Sequence, residues 1–352
     1  MPGTDRTLTL PGFVDVHVHF RDPGAPEAEN TSSGLGAALR GGFSAVVTMP
    51  NTSPAIDSPE MVESHVRLDG PVKLFTSACI TRGRLGAEVA DLEALAEAGA
   101  VFFTDDGSYV RDAKVMEEAM ERCRELNAVV SQHALAPGMS EAECIRRDLS
   151  ICRETGCRLH VQHLSTAEGV GLVLDAQREG LPVSAEATPH HLLLCRDDIR
   201  GDDGNYKMAP PLASAEDRAE LRRAVKAGAV MFATDHAPHP AGAKECGYAR
   251  AANGIIGLET AVPITYRVMV EEEGMSVEAW ARAWHDMPLG LFPDAASAAA
   301  ALSPTVVAVG QPRAVDVGSF ASLSRNCPYD GMEFSCWAVP RRSGSGQLNV
   351  TT

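Results

Sequence analysis

Eight short apolar runs alternate with longer stretches rich in Ala, Glu and Arg, and this alternation constrains the fold more than any other feature of the chain. The runs occupy residues 13–18, 45–49, 72–77, 101–104, 129–132, 159–162, 183–187 and 230–234. Helical patterns fill intervals between them at 59–68, 91–98, 113–126, 141–154, 166–178 and 215–226. Strand followed by helix, repeated over roughly 240 residues, predicts an α/β chain closed into a (β/α)8 TIM barrel. A doubly wound open sheet shares the alternation, so the repeat alone leaves both open.

The polar residues favour closure. His17 and His19 end the first run, Asn51 follows the second, and Asp105 and Asp106 end the fourth. His133 ends the fifth, His163 the sixth, His190 and His191 follow the seventh, and Asp235 and His236 end the eighth. In a barrel these strand ends converge on one mouth, where active sites of this fold lie. In an open sheet they would be spread along an edge.

His17 and His19 are two residues apart on a strand, so their rings point the same way. Paired imidazoles at a strand end suit a divalent metal. Together with Asp106, His133, His163 and Asp235 they can hold two divalent ions and leave a position for water. Imidazole and carboxylate donors favour zinc, with other first-row metals in range. Metal-bound hydroxide is a nucleophile at neutral pH, and a carboxylate that takes and returns a proton completes a hydrolytic site. Each member alone has a plainer reading. Asp105-Asp106-Gly107 is a turn signal, His163 a core histidine, and Thr234-Asp235-His236 a helix N-cap. Their joint placement at strand ends is what points to chemistry.

The alternation stops near residue 255. Residues 255–270 and 277–284 still read as helical, with Pro263 expected to kink or delimit the first, and 295–302 is an Ala-rich helix candidate. Short pieces at 305–309, 315–317 and 333–339 read as strands of a small appendage, and the Gly/Ser/Arg-rich 341–347 as a disordered tail. The expected division is a metal-dependent barrel over 1–300 and a short β-rich segment with a flexible tail over 301–352. The Gly- and Ala-rich stretch 240–253 reads equally as a lid or a passive surface loop.

No apolar run approaches about 18 residues, and the N-terminus shows no basic-then-apolar leader. A net charge of −16 argues against nucleic acid or an anionic membrane as partner. It leaves room for a small anionic substrate held by local cations. Nine cysteines with no C-x-x-C pair read as reduced thiols of a cytoplasmic protein, not as a disulfide framework.

The segment Leu10-Pro11-Gly12-Phe13-Val14-Asp15-Val16-His17-Val18-His19-Phe20-Arg21-Asp22-Pro23-Gly24 resembles the opening motif of dihydroorotases in the amidohydrolase superfamily. Further matches follow in order: Met49-Pro50-Asn51-Thr52, Phe103-Thr104-Asp105-Asp106-Gly107, His163-Leu164-Ser165-Thr166 and Glu186-Ala187-Thr188-Pro189-His190-His191-Leu192. Then come Thr234-Asp235-His236-Ala237-Pro238-His239, Gly254-Ile255-Ile256-Gly257-Leu258-Glu259-Thr260 and Ser324-Arg325-Asn326-Cys327-Pro328-Tyr329-Asp330-Gly331. The resemblance spans nearly the whole chain.

It implies that His17, His19 and Asp235 bind one zinc ion, and His133 and His163 a second. Many relatives bridge their metals with a carbamylated lysine from the fourth strand. Here the resemblance is to the branch in which an aspartate takes that place, and Asp106 matches it. Arg21, Asn51 and His239 match substrate-binding positions, and Arg21 is suited to clamp a carboxylate bidentately. The implied reaction is reversible cyclisation of N-carbamoyl-L-aspartate to L-dihydroorotate in pyrimidine synthesis, with Asp235 as general acid and base. Another cyclic amidohydrolase, hydantoinase- or allantoinase-like, and a degenerate homologue serving as an assembly subunit are the alternatives.

Three departures stand out. Relatives often carry Asn-Pro-Pro-Leu-Arg where this chain has Ala209-Pro210-Pro211-Leu212-Ala213, acidic residues where Ala134-Leu135-Ala136 follow His133, and Asn-Pro where Met287-Pro288 stands. The strands that usually precede Leu-Pro-Gly are nearly absent, so the β-sandwich they help to build is expected to be reduced or missing. Barrel surface left bare in this way is expected to be covered by a partner chain, and the resemblance implies either a homodimer or the complex that some family members form with aspartate transcarbamoylase.

Overall fold

A computed structural model describes residues 6–340. The tail expected at 341–347 lies outside the described residues. Among the described residues ten strands are formed: β1 (Arg6–Leu10), β2 (Phe13–Val18), β3 (Phe43–Thr48), β4 (Lys73–Thr76), β5 (Val129–Gln132), β6 (Arg158–Val161), β7 (Val183–Ala187), β8 (Met231–Phe232), β9 (Thr305–Ala314) and β10 (Glu333–Ala338). β2-β3-β4 and β5-β6-β7-β8 are parallel, as crossover helices require.

Two seams close these sheets into a ring. Between β4 and β5 run residues 101–104, where Val101 N–H donates to Thr76 O, Phe103 N–H to Val129 O, and Ser131 N–H to Phe103 O. At the other seam Val18 pairs in parallel with His236, and His19 N–H donates to His236 O at 2.8 Å. The fourth expected run therefore fills its place in the barrel through single bridges rather than a ladder. It is squeezed between Gly99, at φ +108°, and the turn in which Ser108 N–H donates to Asp105 O, so few residues are free to pair.

Inside the ring, Val14, Val16, Ala45, Val47 and Met49 form a buried cluster that Leu289, Leu291 and Phe292 join. The β2–β3 register is Asp15 to Val46 and then Val18 to Thr48, so β2 carries one extra residue there. Such a bulge re-aims side chains. It lies next to His17.

The crossover helices form close to their expected places, at Pro59–His65, Leu92–Glu97, Ala113–Glu125, Glu141–Thr155, Ala167–Arg178 and Ala215–Lys226. Ser140 shows why these ends hold: its hydroxyl accepts Glu143 N–H while Glu143 reaches back to Ser140 N–H. The expected 255–270 helix begins later, at Ala261, and turns into a π-helix over Tyr266–Glu272. The missing turn is used for pairing, since Ala237 N–H donates to Ile255 O and Gly257 N–H to His236 Nδ1. Pro263 then sits in the first helical turn, where its lack of an N–H costs nothing.

β1 pairs antiparallel with β9, from Arg6 opposite Val309 to Leu10 opposite Thr305, and β10 covers the other edge of β9. One strand thus precedes Leu-Pro-Gly, and the appendage is a three-stranded sheet in the order β1-β9-β10. Thr305 ties it to the barrel: its hydroxyl accepts Phe13 N–H and donates to Gly42 O. Among the described residues no helix is long and apolar enough to cross a membrane.

Candidate metal centre and active site

Strand ends bring all six candidate ligands to one place. His17 Nε2 lies 3.3 Å from Asp106 Oδ1 and 3.4 Å from Asp235 Oδ1. His19 Nε2 lies 2.9 Å from Asp235 Oδ1 and 3.4 Å from Asp106 Oδ2. His133 Nδ1 stands 3.4 Å from Asp106 Oδ1 and 2.8 Å from His163 Nε2. All six side chains are buried.

Second partners settle which imidazole nitrogens face the centre. His17 Nδ1–H donates to Glu186 Oε1 in a short contact, so the Nε2 lone pair points between the two aspartates. His19 Nδ1–H donates to Asn51 Oδ1 at 3.0 Å, with the same result for its Nε2. Metal-binding histidines are oriented in this way, by a partner on the far nitrogen. His163 and Asp235 have φ of +31° and +47°, a region that costs energy for residues other than glycine. Such backbone strain clusters at functional sites.

The donor set fits a divalent ion. His17 Nε2 and Asp106 Oδ1 are buried without a hydrogen-bond partner, which is costly unless something else occupies that direction. His17, His19 and Asp235 present ligand atoms within 4.8 Å of one another, and so do His17, Asp106 and His163. Burial disfavours charge on all of these groups. Against it, Glu186, Asp106 and Asp235 draw the His17 pKa well above its ordinary value, and the histidines hold both aspartates below the usual carboxylate range. His163, buried and beside His133, is pushed down to about 3 and so offers a neutral ring. A buried cluster that sets three carboxylates beside four imidazoles offers the donors a divalent cation takes.

The neighbouring acidic residue has a different task. Asp105 accepts Ile80 N–H at 2.9 Å, Thr81 N–H at 3.1 Å and the Thr81 hydroxyl, which anchors the loop while Asp106 faces the centre. Arg84 Nη2 donates to Asp106 O at 2.6 Å and steadies the same turn. His236 points away, donating to Glu29 Oε2 at 3.3 Å while its Nδ1 accepts Gly257 N–H. His191 is held between the Thr188 hydroxyl and Pro210 O, and His190 is buried with Nε2 unpartnered.

A cavity of about 230 Å³ opens beside the ligands. Arg21, Asn51, Ala209, His239, Asn253 and Gly254 line it. Arg21 gives its Nε–H to Pro238 O and, among the described residues, forms no ion pair, so its terminal nitrogens remain for a ligand. His239 gives its Nε2–H to Asn253 O at 2.7 Å, and burial beside Arg21 lowers its pKa to about 4. Asn51 spans His19 and Asp106, donating to Asp106 Oδ2 at 3.3 Å, and so supports the ligands as well as lining the cavity.

Comparisons with known proteins establish the family of the chain. A family described as "Dihydro-orotase-like" matches residues 6–141. The dihydroorotase of Bacillus caldolyticus is 39% identical over 94% of this chain and 85% of its own length. That of Bacillus subtilis (strain 168) is 37% identical over the same shares. The chain belongs to the dihydroorotase family. Among solved structures, the L-hydantoinase (dihydropyrimidinase) from Arthrobacter aurescens has a TM-score of 0.81 at 25% identity, covering 95% of this chain and 83% of that one. The Saccharomyces cerevisiae dihydroorotase in complex with 5-fluoroorotic acid has a TM-score of 0.74, covering 96% and 100%; at 17% identity it speaks for the fold alone. The dihydroorotase family is metal-dependent, in keeping with the ligand groups found here.

Two buried carboxylates escaped the sequence reading. Glu186 orients His17 and also accepts His160 Nε2–H at 3.0 Å. Asp15 Oδ1 accepts Thr234 N–H at 3.0 Å and its Oδ2 the Thr234 hydroxyl at 2.5 Å, joining the first stave to the last beside both ligand groups. The signal was a lone acidic residue at an otherwise apolar strand position in Phe13-Val14-Asp15-Val16 and in Val183-Ser184-Ala185-Glu186-Ala187.

Proposed function

We propose that this chain is a zinc-dependent dihydroorotase that interconverts N-carbamoyl-L-aspartate and L-dihydroorotate, with two zinc ions per chain. The observation that carries the reading is Arg21, a guanidinium that forms no ion pair among the described residues, in the same small cavity as the buried histidine–aspartate cluster. An uncharged cyclic amide would leave that cation unmatched; a carboxylate-bearing one would pair with it.

His17, His19 and Asp235 would hold one ion, and His133 and His163 the other, with Asp106 between them. When bound, divalent zinc makes water nucleophilic at neutral pH and polarises an amide carbonyl. Arg21 fixes the substrate carboxylate and sets the ring amide over the cluster. In ring opening Asp235 takes the proton released as the water oxygen bonds to the carbonyl carbon. It returns that proton to the ring nitrogen as the C–N bond breaks. Closure reverses both transfers.

The experiment is hydrolysis of L-dihydroorotate by zinc-replete protein, with Asp235→Asn as control. Turnover should fall by about 10²–10⁴ in the variant. No turnover by metal-loaded wild-type protein would overturn the substrate assignment and turn attention to other cyclic amides. A cytoplasmic location belongs to the same proposal, in keeping with nine cysteines that form no disulfide. So does assembly, as a homodimer or with aspartate transcarbamoylase, which sedimentation of the protein alone and of the mixture would test.

A further inference from the structure

The loop that follows β8 is pinned down by a buried lysine. Lys244 is 4% exposed, and its ammonium donates to Lys207 O at 3.0 Å, Ala252 O at 2.8 Å and Gly254 O at 2.8 Å. An ammonium has three donors, and here all three meet carbonyls from two separate segments. Lys207 answers in the other direction, its Nζ donating to Ala249 O at 2.6 Å, while Lys207 O also accepts Gly254 N–H. Tyr248 N–H adds a bond to Asp202 Oδ1 at 2.8 Å. The segments touch so closely that a Cβ at Gly204 would lie 2.2 Å from Lys244 O.

The fastened stretch is a wall of the substrate cavity. Asn253 and Gly254 line it, Asn253 O holds the His239 ring, and Gly254 O also accepts Asn326 Nδ2–H at 3.0 Å. We propose that Lys244 is a positioning residue for substrate, a clasp that holds the 252–254 wall, and the His239 ring bonded to it, in place around the anion that Arg21 receives. A buried ammonium is costly unless its hydrogen bonds are complete. The loop therefore opens only by breaking several bonds together, and stretch 240–253 is a fastened rim rather than a free flap. This inference rests on the proposed anionic substrate, but the clasp itself can be read without it.

The test uses full-length zinc-loaded protein with Lys244→Met and, as the milder half of the clasp, Lys207→Met. Both are expected to raise KM for L-dihydroorotate, Lys244→Met by about tenfold, with kcat within about twofold of wild type, the pattern of lost ground-state binding. Amide hydrogen exchange across 240–254 should speed up in both, while exchange in the barrel strands stays as in wild type. If Lys244→Met fails to fold, Lys207→Met carries the test. Unchanged KM together with unchanged exchange overturns the proposal, and so does a fall in kcat at constant KM. If wild-type protein does not turn over L-dihydroorotate, the substrate reading fails by itself, and faster loop exchange in the variants still upholds the clasp.

Discussion

Glu186 accepts a hydrogen bond from Nδ1–H of His17 and so fixes which nitrogen that imidazole offers to the centre. The same carboxylate accepts from His160, whose other nitrogen meets the Ser184 hydroxyl at 2.8 Å, so a buried chain supports the ligand from below. Burial would raise the Glu186 pKa, but the two histidines bring it down to about 2, and it stays ionised at any working pH. Removing the charge while keeping the shape, with Glu186→Gln, should weaken metal binding by about 10–100-fold. Competition with a chelator reads the affinity directly. Unchanged affinity in a folded variant would rule out the orienting role.

Arg21 carries the anion in the proposed reaction. Arg21→Gln keeps a donor but removes the charge and the fork, so KM for L-dihydroorotate should rise by about 10–100-fold. Metal content should not change, since Arg21 touches no ligand among the described hydrogen bonds. Steady-state kinetics paired with metal analysis separates the two effects. A variant with wild-type KM would place the substrate carboxylate elsewhere.

Adjacent aspartates should fail in opposite ways. Asp105→Ala strands two buried N–H groups at Ile80 and Thr81, at about 1–3 kcal/mol each, and should lower the melting temperature of metal-free protein. Asp106→Ala removes a carboxylate that four histidines face, so metal occupancy should fall and zinc should no longer raise the melting temperature, whereas Asp105→Ala should keep the zinc response. Thermal melts with and without zinc distinguish them. Equal behaviour would undo the division of labour.

The alternation and the strand-end residues made the barrel and the gathering of the candidate ligands at one mouth legible in the sequence, because strand period and the placing of polar residues at strand ends are local properties. What did not show was whatever depends on distant pairing. Residues 101–104 read as a strand from their apolar content, yet form only bridges, because turns confine them on both sides. Residues 255–260 read as helix, yet their backbone serves His236. Asn51 matched a substrate position, but its contacts with His19 and Asp106 appear only when three staves meet. Glu186 and Asp15 stand in the matching motifs with no role visible from the sequence, because their partners lie 169 and 219 positions away.

The helix Glu141–Thr155 carries a titration that stability should register. Asp148 is fully buried against Tyr109 and Arg147, whose Nε–H it accepts at 2.6 Å. Burial outweighs the arginine and raises the carboxyl from 3.8 to about 7. With the folded pKa above the unfolded one, the contribution is complete below about pH 4 and is lost as pH rises toward 7, because the folded state binds the proton more tightly. Asp148→Asn cannot ionise. The melting temperature of wild-type protein minus that of the variant should therefore fall as pH goes from 4 to 8, with both proteins metal-free so that shared titrations cancel. A difference that stays flat or rises across that window would mean that Arg147 keeps Asp148 ionised in the fold.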